Sequence, residues 1–199
     1  MSKPLPAFQA FINELKQIWS DEVDDEKRMT KAKPLLETLT RNPDLLAHSK
    51  KWPNTVGQNL LLYEDFTAGF VVNAVVRPPG YKGGVHDHAH AWVLYGVLDG
   101  WESLERYERV DDASEPGKAI VKLVSSTRGA PGTVDIVPPF NIHAEQGGDG
   151  RSVAMIVRSQ RLVGRVLQNG FNTKDNTVVQ RSGPEQVPFV LSMEPSMKA

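Results

Sequence analysis

His86, His88 and His90 stand in the run Gly-Gly-Val-His-Asp-His-Ala-His at 83–90, and His143 closes Val-Pro-Pro-Phe-Asn-Ile-His at 137–143. Four of the five histidines therefore fall in two short segments, each at the edge of a strand-like stretch. Alternate residues of a strand face the same side. A His-x-His pair can thus aim two imidazoles at one point, and a third from a neighbouring strand completes a facial metal site. Imidazole suits Fe, Ni, Cu or Zn, and three ligands leave positions open for substrate, water or O2. A lone histidine is more often a surface or satisfied core residue than a ligand. The paired spacing and the glycines and prolines around both segments separate this cluster from that reading.

The elements that must position these residues are of two kinds. Phe8, Phe11, Ile12, Leu15, Ile18 and Trp19 recur at three- and four-residue spacing and predict an amphipathic helix. Ser20-Asp21-Glu22 ends it and offers a cap for a second helix carrying Met29, Ala32, Leu35, Leu36 and Leu39. Pro34 is expected to kink that helix or open a new segment, and Asn42-Pro43-Asp44 to start a short third one. After Lys51-Trp52-Pro53 the character changes. Short runs rich in Val, Leu and aromatics occupy 60–63, 70–76, 91–98, 103–110, 119–124, 133–137, 153–157 and 178–179, separated by turns such as Asp99-Gly100 and Ala130-Pro131-Gly132. Many short strands at this spacing predict a β-sandwich or barrel. The expected organisation is a helical extension over 1–52, a β-barrel domain over 53–182 and an extended, proline-containing tail over 183–199.

Composition narrows the function classes. The chain has 199 residues, 23 Lys and Arg against 24 Asp and Glu, and no long basic run, so nucleic acid is not an expected partner. Cysteine is absent, which excludes disulfides, thiolate ligands and a cysteine nucleophile. The N-terminus Met-Ser-Lys-Pro-Leu-Pro-Ala-Phe lacks the apolar core of a signal peptide, and no stretch approaches about 18 apolar residues. The expectation is a soluble cytoplasmic protein with no membrane partner.

Pro79-Gly80 precedes the His run, Gly96 and Gly100 follow it, and Gly132-x5-Pro138 leads into His143. This punctuation resembles the two cupin motifs over roughly residues 60–160. The resemblance implies a mainly β fold, a double-stranded β-helix (jelly roll) with an α-helical N-terminal extension, and a metal in the barrel mouth. Many cupins place a Glu four or five residues after the second His; Trp92 and Val93 stand there, so the resemblance implies a three-His site of His86, His88 and His143. The stretch from Arg77-Pro78-Pro79-Gly80 to His86-Asp87-His88 resembles the thiol dioxygenases, the cysteine and 3-mercaptopropionate dioxygenase group. That implies one divalent transition metal, Fe(II) first and Ni, Zn or Mn as alternatives, acting on a small thiol with O2 to give a sulfinate. The chain departs from that group where it carries Ser-x-His-x-Tyr, since Ala154-Met155-Ile156-Val157-Arg158 stands there. Leu60 falls at the group's carboxylate-clamping Arg and Val93 at its cross-linking Cys, so cysteine itself is not an expected substrate.

Arg77 stands where the group has Trp, and Arg158 where it has Tyr. Both are expected to hold an anionic small-molecule substrate by paired hydrogen bonds, with Arg158 also a catalytic candidate. The alternative is that each reaches solvent from a strand end. His90 continues the His86–His88 alternation and is read as a supporting catalytic group beside the metal. Asp87 points away from the ligands and orients the loop. Asn141 and Tyr81 are candidate substrate contacts; Tyr95, Glu102 and Glu105 are further polar candidates. The stripe on the first helix covers a barrel face, or contributes to a homodimer. Three readings follow: an Fe(II) dioxygenase-like oxidoreductase acting on a small acidic molecule, a metal-dependent Lewis-acid isomerase, lyase or hydrolase, and a ligand-binding cupin without turnover.

Overall fold

The helices come first in the chain and form a layer of their own. The structure, a computed structural model, describes residues 5–191. Pro6 opens α1 (Pro6–Asp21), where its missing N–H costs nothing. Asp24 caps α2 (Asp25–Leu39) by accepting from the Lys27 N–H at 2.9 Å. The cap expected at Ser20-Asp21-Glu22 is therefore displaced, because α1 continues through Asp21. α2 runs through Pro34 as one helix, so no new segment opens there. Burial of Met29, Ala32, Leu36 and Leu39 on either side of the proline holds the helix against the local cost. Asn42 caps α3 (Pro43–Ser49) through the Leu45 N–H at 2.9 Å, as the Asn-Pro-Asp sequence predicts.

Twelve strands follow among the described residues. They are β1 (Gln58–Glu64), β2 (Val71–Arg77), β3 (Val85–His86), β4 (Val93–Asp99), β5 (Glu102–Arg109) and β6 (Val121–Gly129), then β7 (Val134–Val137), β8 (Ile142–Gly147), β9 (Ser152–Arg158), β10 (Leu167–Asn172), β11 (Thr177–Ser182) and β12 (Glu185–Pro188). One sheet has the order β12-β1-β2-β9-β4-β7, the other β11-β10-β3-β8-β5-β6. Within them, β2-β9-β4-β7 faces β3-β8-β5-β6, the two four-stranded halves of a jelly roll. The fold is thus the double-stranded β-helix with a helical N-terminal extension. No helix among the described residues is long and apolar enough to cross a membrane.

Strand alternation explains the composition of the first sheet. Val72, Ala74 and Val76 of β2, Leu94 and Leu98 of β4, and Val153, Met155 and Val157 of β9 pack with the helices' Leu15, Trp19, Met29 and Leu36. The intervening Val75, Val93, Tyr95, Val97, Ala154 and Ile156 form a separate cluster inside the barrel. Both faces are covered, so these strands read as near-continuous apolar runs. The α1 stripe is consumed by this packing.

Strands β3, β8, β10 and β12 carry no apolar run and go unseen in the sequence. β12 pairs parallel with β1, from Gln58 opposite Glu185 to Leu61 opposite Pro188, so part of the expected tail is a strand of the first sheet. Residues 1–4, where the sequence shows no signal-peptide core, and residues 192–199 of the expected tail, Pro195 among them, lie outside the described residues.

Candidate metal centre

β3 and β8 lie side by side, and their register sets His86 directly opposite His143. His88 follows two residues after His86. The ring centroids are 4.4 Å apart for His86–His143, 4.7 Å for His88–His143 and 4.9 Å for His86–His88. One nitrogen from each ring lies within 4.8 Å of the other two. His88 and His143 are buried and His86 is half-buried.

The second nitrogens fix the tautomers. His86 Nδ1 lies 2.9 Å from the Gly84 carbonyl and His143 Nδ1 2.8 Å from the Asn141 carbonyl. A carbonyl only accepts, so each neutral ring carries its proton on Nδ1 and presents a lone pair at Nε2. Burial pushes His143 down to about 4, with His86 adding to the effect against Glu145 and the Asn141 contact. Burial, with His143 and His86, also pushes His88 well below the usual histidine range. His88 and His143 are therefore neutral near pH 7, the state a ligand needs. His143 Nε2 and His88 Nδ1 are buried with no hydrogen-bond partner. Buried polar atoms left this way are costly, and a shared cation would satisfy His143 Nε2.

Glu145 sharpens that test. It follows His143 by two residues on the same side of β8, and its Oε1 lies 3.6 Å from His143 Nε2. A carboxylate facing a lone pair is repulsive unless positive charge lies between or beside them. Burial pushes the Glu145 carboxyl up, but His143, Arg77, His86 and Arg106 together hold it below its ordinary value. Three imidazoles with an adjacent carboxylate form a donor set that fits a divalent transition metal.

The loop after β3 is fixed from the opposite side. Asp87 is buried and accepts from the Ala89 N–H at 2.9 Å, the Asn169 N–H at 3.0 Å and Asn169 Nδ2 at 2.8 Å, tying the loop to β10. Ala89 then takes a left-handed conformation with φ 49°. That turn ends the alternation, and His90 is exposed, away from the cavity wall. The supporting role read for His90 is corrected on this ground.

A cavity of about 330 Å³ opens beside His86 and His88. Arg158, at the inner end of β9, is buried on its wall. Its Nη1 donates to Asn73 Oδ1, and Nη2 lies 3.1 Å from the Asn59 amide oxygen when that amide faces it. Its Nε is buried without a partner. Burial lowers this guanidinium to about 10, against the pull of Glu145 and Tyr95. Arg158 stays cationic at neutral pH, held only by neutral amides.

Arg77 also lines the cavity but is already occupied. Its Nη1 bonds Tyr95 Oη and Glu102 Oε2, the latter at 2.6 Å, and its Nη2 reaches Glu145 Oε2 at 3.5 Å. The Tyr95 hydroxyl and the Ser152 hydroxyl donate to the same buried Glu102 at 2.6 Å each. Burial opposes the charge on Arg77, yet Tyr95, Glu102 and Glu145 outweigh it and raise the guanidinium. Arg77 thus braces Glu145 instead of offering a free clamp. Tyr81 lines the cavity with its ring 5.1 Å from the Arg77 guanidinium. Asn141 does not line it: its Oδ1 accepts from Arg106 Nη1 at 2.7 Å, so the substrate contact read there is corrected. Glu105 accepts from Tyr107 and Gln146 at 2.8 and 2.9 Å.

Glu145, Asn59, Asn73 and Arg181 escaped the sequence reading. Only Glu145 had a readable signal, the His-x-Glu spacing from His143, and it was hidden because β8 did not look like a strand.

No protein-family model and no curated protein sequence matches this chain. Solved structures similar in shape include a conserved protein with a double-stranded β-helix domain from Klebsiella pneumoniae, with 16% identity and TM-score 0.43 over 61% of this chain and 91% of that one. The Schizosaccharomyces pombe Cnp3 cupin domain aligns with 15% identity and TM-score 0.40, over 52% of this chain and 60% of its own. A recombinant oxalate oxidase in complex with glycolate aligns with 20% identity and TM-score 0.39, over 47% of this chain and 43% of its own. The chain thus spans less than two thirds of the Cnp3 and oxalate oxidase chains.

Proposed function

We propose that the protein is a metal-dependent oxidoreductase that holds Fe(II) on His86, His88 and His143 and uses O2 to oxidise a small anionic molecule. The observation that carries this reading is the convergence of three imidazoles beside a cavity whose wall holds the unpartnered Nε of buried Arg158. His86, His88 and His143 would hold the iron, which when bound would supply the redox chemistry that brings O2 and substrate to reaction. Arg158 receives the substrate's acid group: an anion accepting from Nε gives this buried cation the counter-charge that Asn59 and Asn73 do not. Arg77, Glu102 and Tyr95 hold Glu145 beside His143. The apolar wall of Val75, Val93 and Ile156 keeps bulk water from the reacting face.

Iron-loaded protein is to be assayed for O2 uptake with a panel of small acids, with and without a thiol, and ¹⁸O₂ used to follow both atoms into product. Incorporation of both atoms supports the reading; silence across the panel with iron bound overturns it. Glu145 favours one second reading, since an ionised carboxylate beside a metal can move protons in a Lewis-acid isomerase or lyase. Turnover without oxygen consumption would assign that chemistry.

A further inference from the structure

We infer that the cavity is built for a dianion, a small molecule with two separate acidic groups, one taken by Arg158 and the other by Arg181. The inference rests on the anion-binding reading of Arg158 and extends it to the substrate class. Arg181 is exposed on β11 and lines the cavity at its open side. Its side chain lies across β10 and β3. A β-carbon on Gly170 would sit 2.9 Å from Arg181 Nε, and one on Gly84 3.6 Å from its Nη2. Gly170 is the register partner of His86, and the Gly84 carbonyl holds the His86 ring. The guanidinium therefore crosses immediately beside one metal-binding histidine, over a path that a side chain at Gly170 would crowd.

The Arg181 backbone pairs with Gln168 in the β10–β11 ladder, while its guanidinium makes no hydrogen bond or ion pair among the described residues. Glu185, the carboxylate four residues on, accepts from Gln58 Nε2 at 2.9 Å instead. Arg158 lines the same cavity from a buried position, and its charge is felt at His88. Arg77, the third guanidinium on the wall, is met by Glu102 and Glu145. Two guanidiniums without carboxylate partners thus share the cavity with His86 and His88, one buried and one exposed. A monoanion satisfies the first and leaves the second to solvent. A molecule with two acid groups satisfies both and lies across the metal-binding face.

Zinc-loaded protein removes redox chemistry from the test. Isothermal titration with length-matched pairs, butyrate against succinate and valerate against glutarate, is expected to show the better-fitting dicarboxylate binding about tenfold more tightly than its monocarboxylate partner. Arg181→Gln is expected to erase that ratio while leaving monocarboxylate affinity within about twofold, since its side chain touches no core residue. Raising the salt shrinks the ratio in the parent protein because the outer guanidinium is exposed. Monocarboxylates binding as tightly as dicarboxylates, or an unchanged ratio in Arg181→Gln, overturns the dianion and leaves the Arg158 site standing. No binding by either class sinks both.

Discussion

A carboxylate 3.6 Å from a lone-pair nitrogen, both buried, is a poor arrangement until a cation joins them. Glu145→Gln keeps the volume and removes the charge. It is expected to weaken metal affinity by about 10- to 100-fold, the usual range for groups that support a ligand, read by competition against a chelator. An affinity unchanged by that substitution would mean the carboxylate has no part in the centre. The histidines give a second prediction, on the metal-free protein. His143 is held at about 4 in the fold, below its ordinary value, so between roughly pH 6.5 and 4 the unfolded chain binds more protons than the folded one. Stability is then fullest above about pH 6.5 and is lost as pH falls towards 4. Urea midpoints across this range should fall for the parent and flatten in His143→Leu; parallel profiles would contradict the argument. Spacing made His86, His88 and His143 legible from sequence. His90 was misread because nothing in Asp-His-Ala-His announces that Ala89 turns left-handed.

Strand alternation at the level of elements decides which side chains reach the cavity. β9 sends Val153, Met155 and Val157 to the helices and Ala154, Ile156 and Arg158 inward, so a guanidinium in an apolar run lines the same cavity as His86 and His88. The strand itself was legible because β9 is strongly apolar, but its pattern left open whether Arg158 faces the cavity or solvent. β8 could not: Ile142-His143-Ala144-Glu145-Gln146-Gly147 is polar on the face that builds the site, and function displaced the hydrophobic signal of a strand. β3 has only two residues and is kept in place by Asp87 and by close approach at Gly83, where a β-carbon would meet the Glu145 carbonyl at 2.4 Å. Asp87→Ala strands three donors that the carboxylate now satisfies. The expected loss is roughly 2–4 kcal/mol in urea unfolding together with weaker metal binding, because the His86–His88 segment loses its tie to β10. Unchanged metal affinity in a destabilised Asp87→Ala protein would show that the histidines are positioned by β8 alone.

For the molecule as a whole, the helical layer and the barrel share one apolar core, and one of its closest approaches lies between α2 and β4. Gly96 of β4 has no side chain, and Leu36 of α2 fills the space: a β-carbon there would lie 3.1 Å from Leu36 Cγ and 3.1 Å from Val134 Cγ2. The helical stripe made the layer legible in sequence, but the face it covers was not, because neither Gly96 nor Leu36 signals a partner sixty residues away. The contact predicts paired behaviour. Leu36 is fully buried, so Leu36→Ala should cost about 2–5 kcal/mol through lost burial and a cavity. Gly96→Ala should cost about 1–3 kcal/mol by overpacking the same space. The double variant should be less destabilised than the sum of the two, since the added methyl enters the room the leucine leaves, giving a coupling of roughly 0.5–3 kcal/mol. Strict additivity in urea unfolding would mean that α2 does not rest on β4. Metal affinity should hold in all three variants, because Leu94 and Leu98 on the helix-facing side of β4 lie across the sheet from Val93 and Tyr95, which face the cavity. A loss of metal binding in Leu36→Ala would show instead that the helical layer sets the spacing of the histidines from outside the barrel.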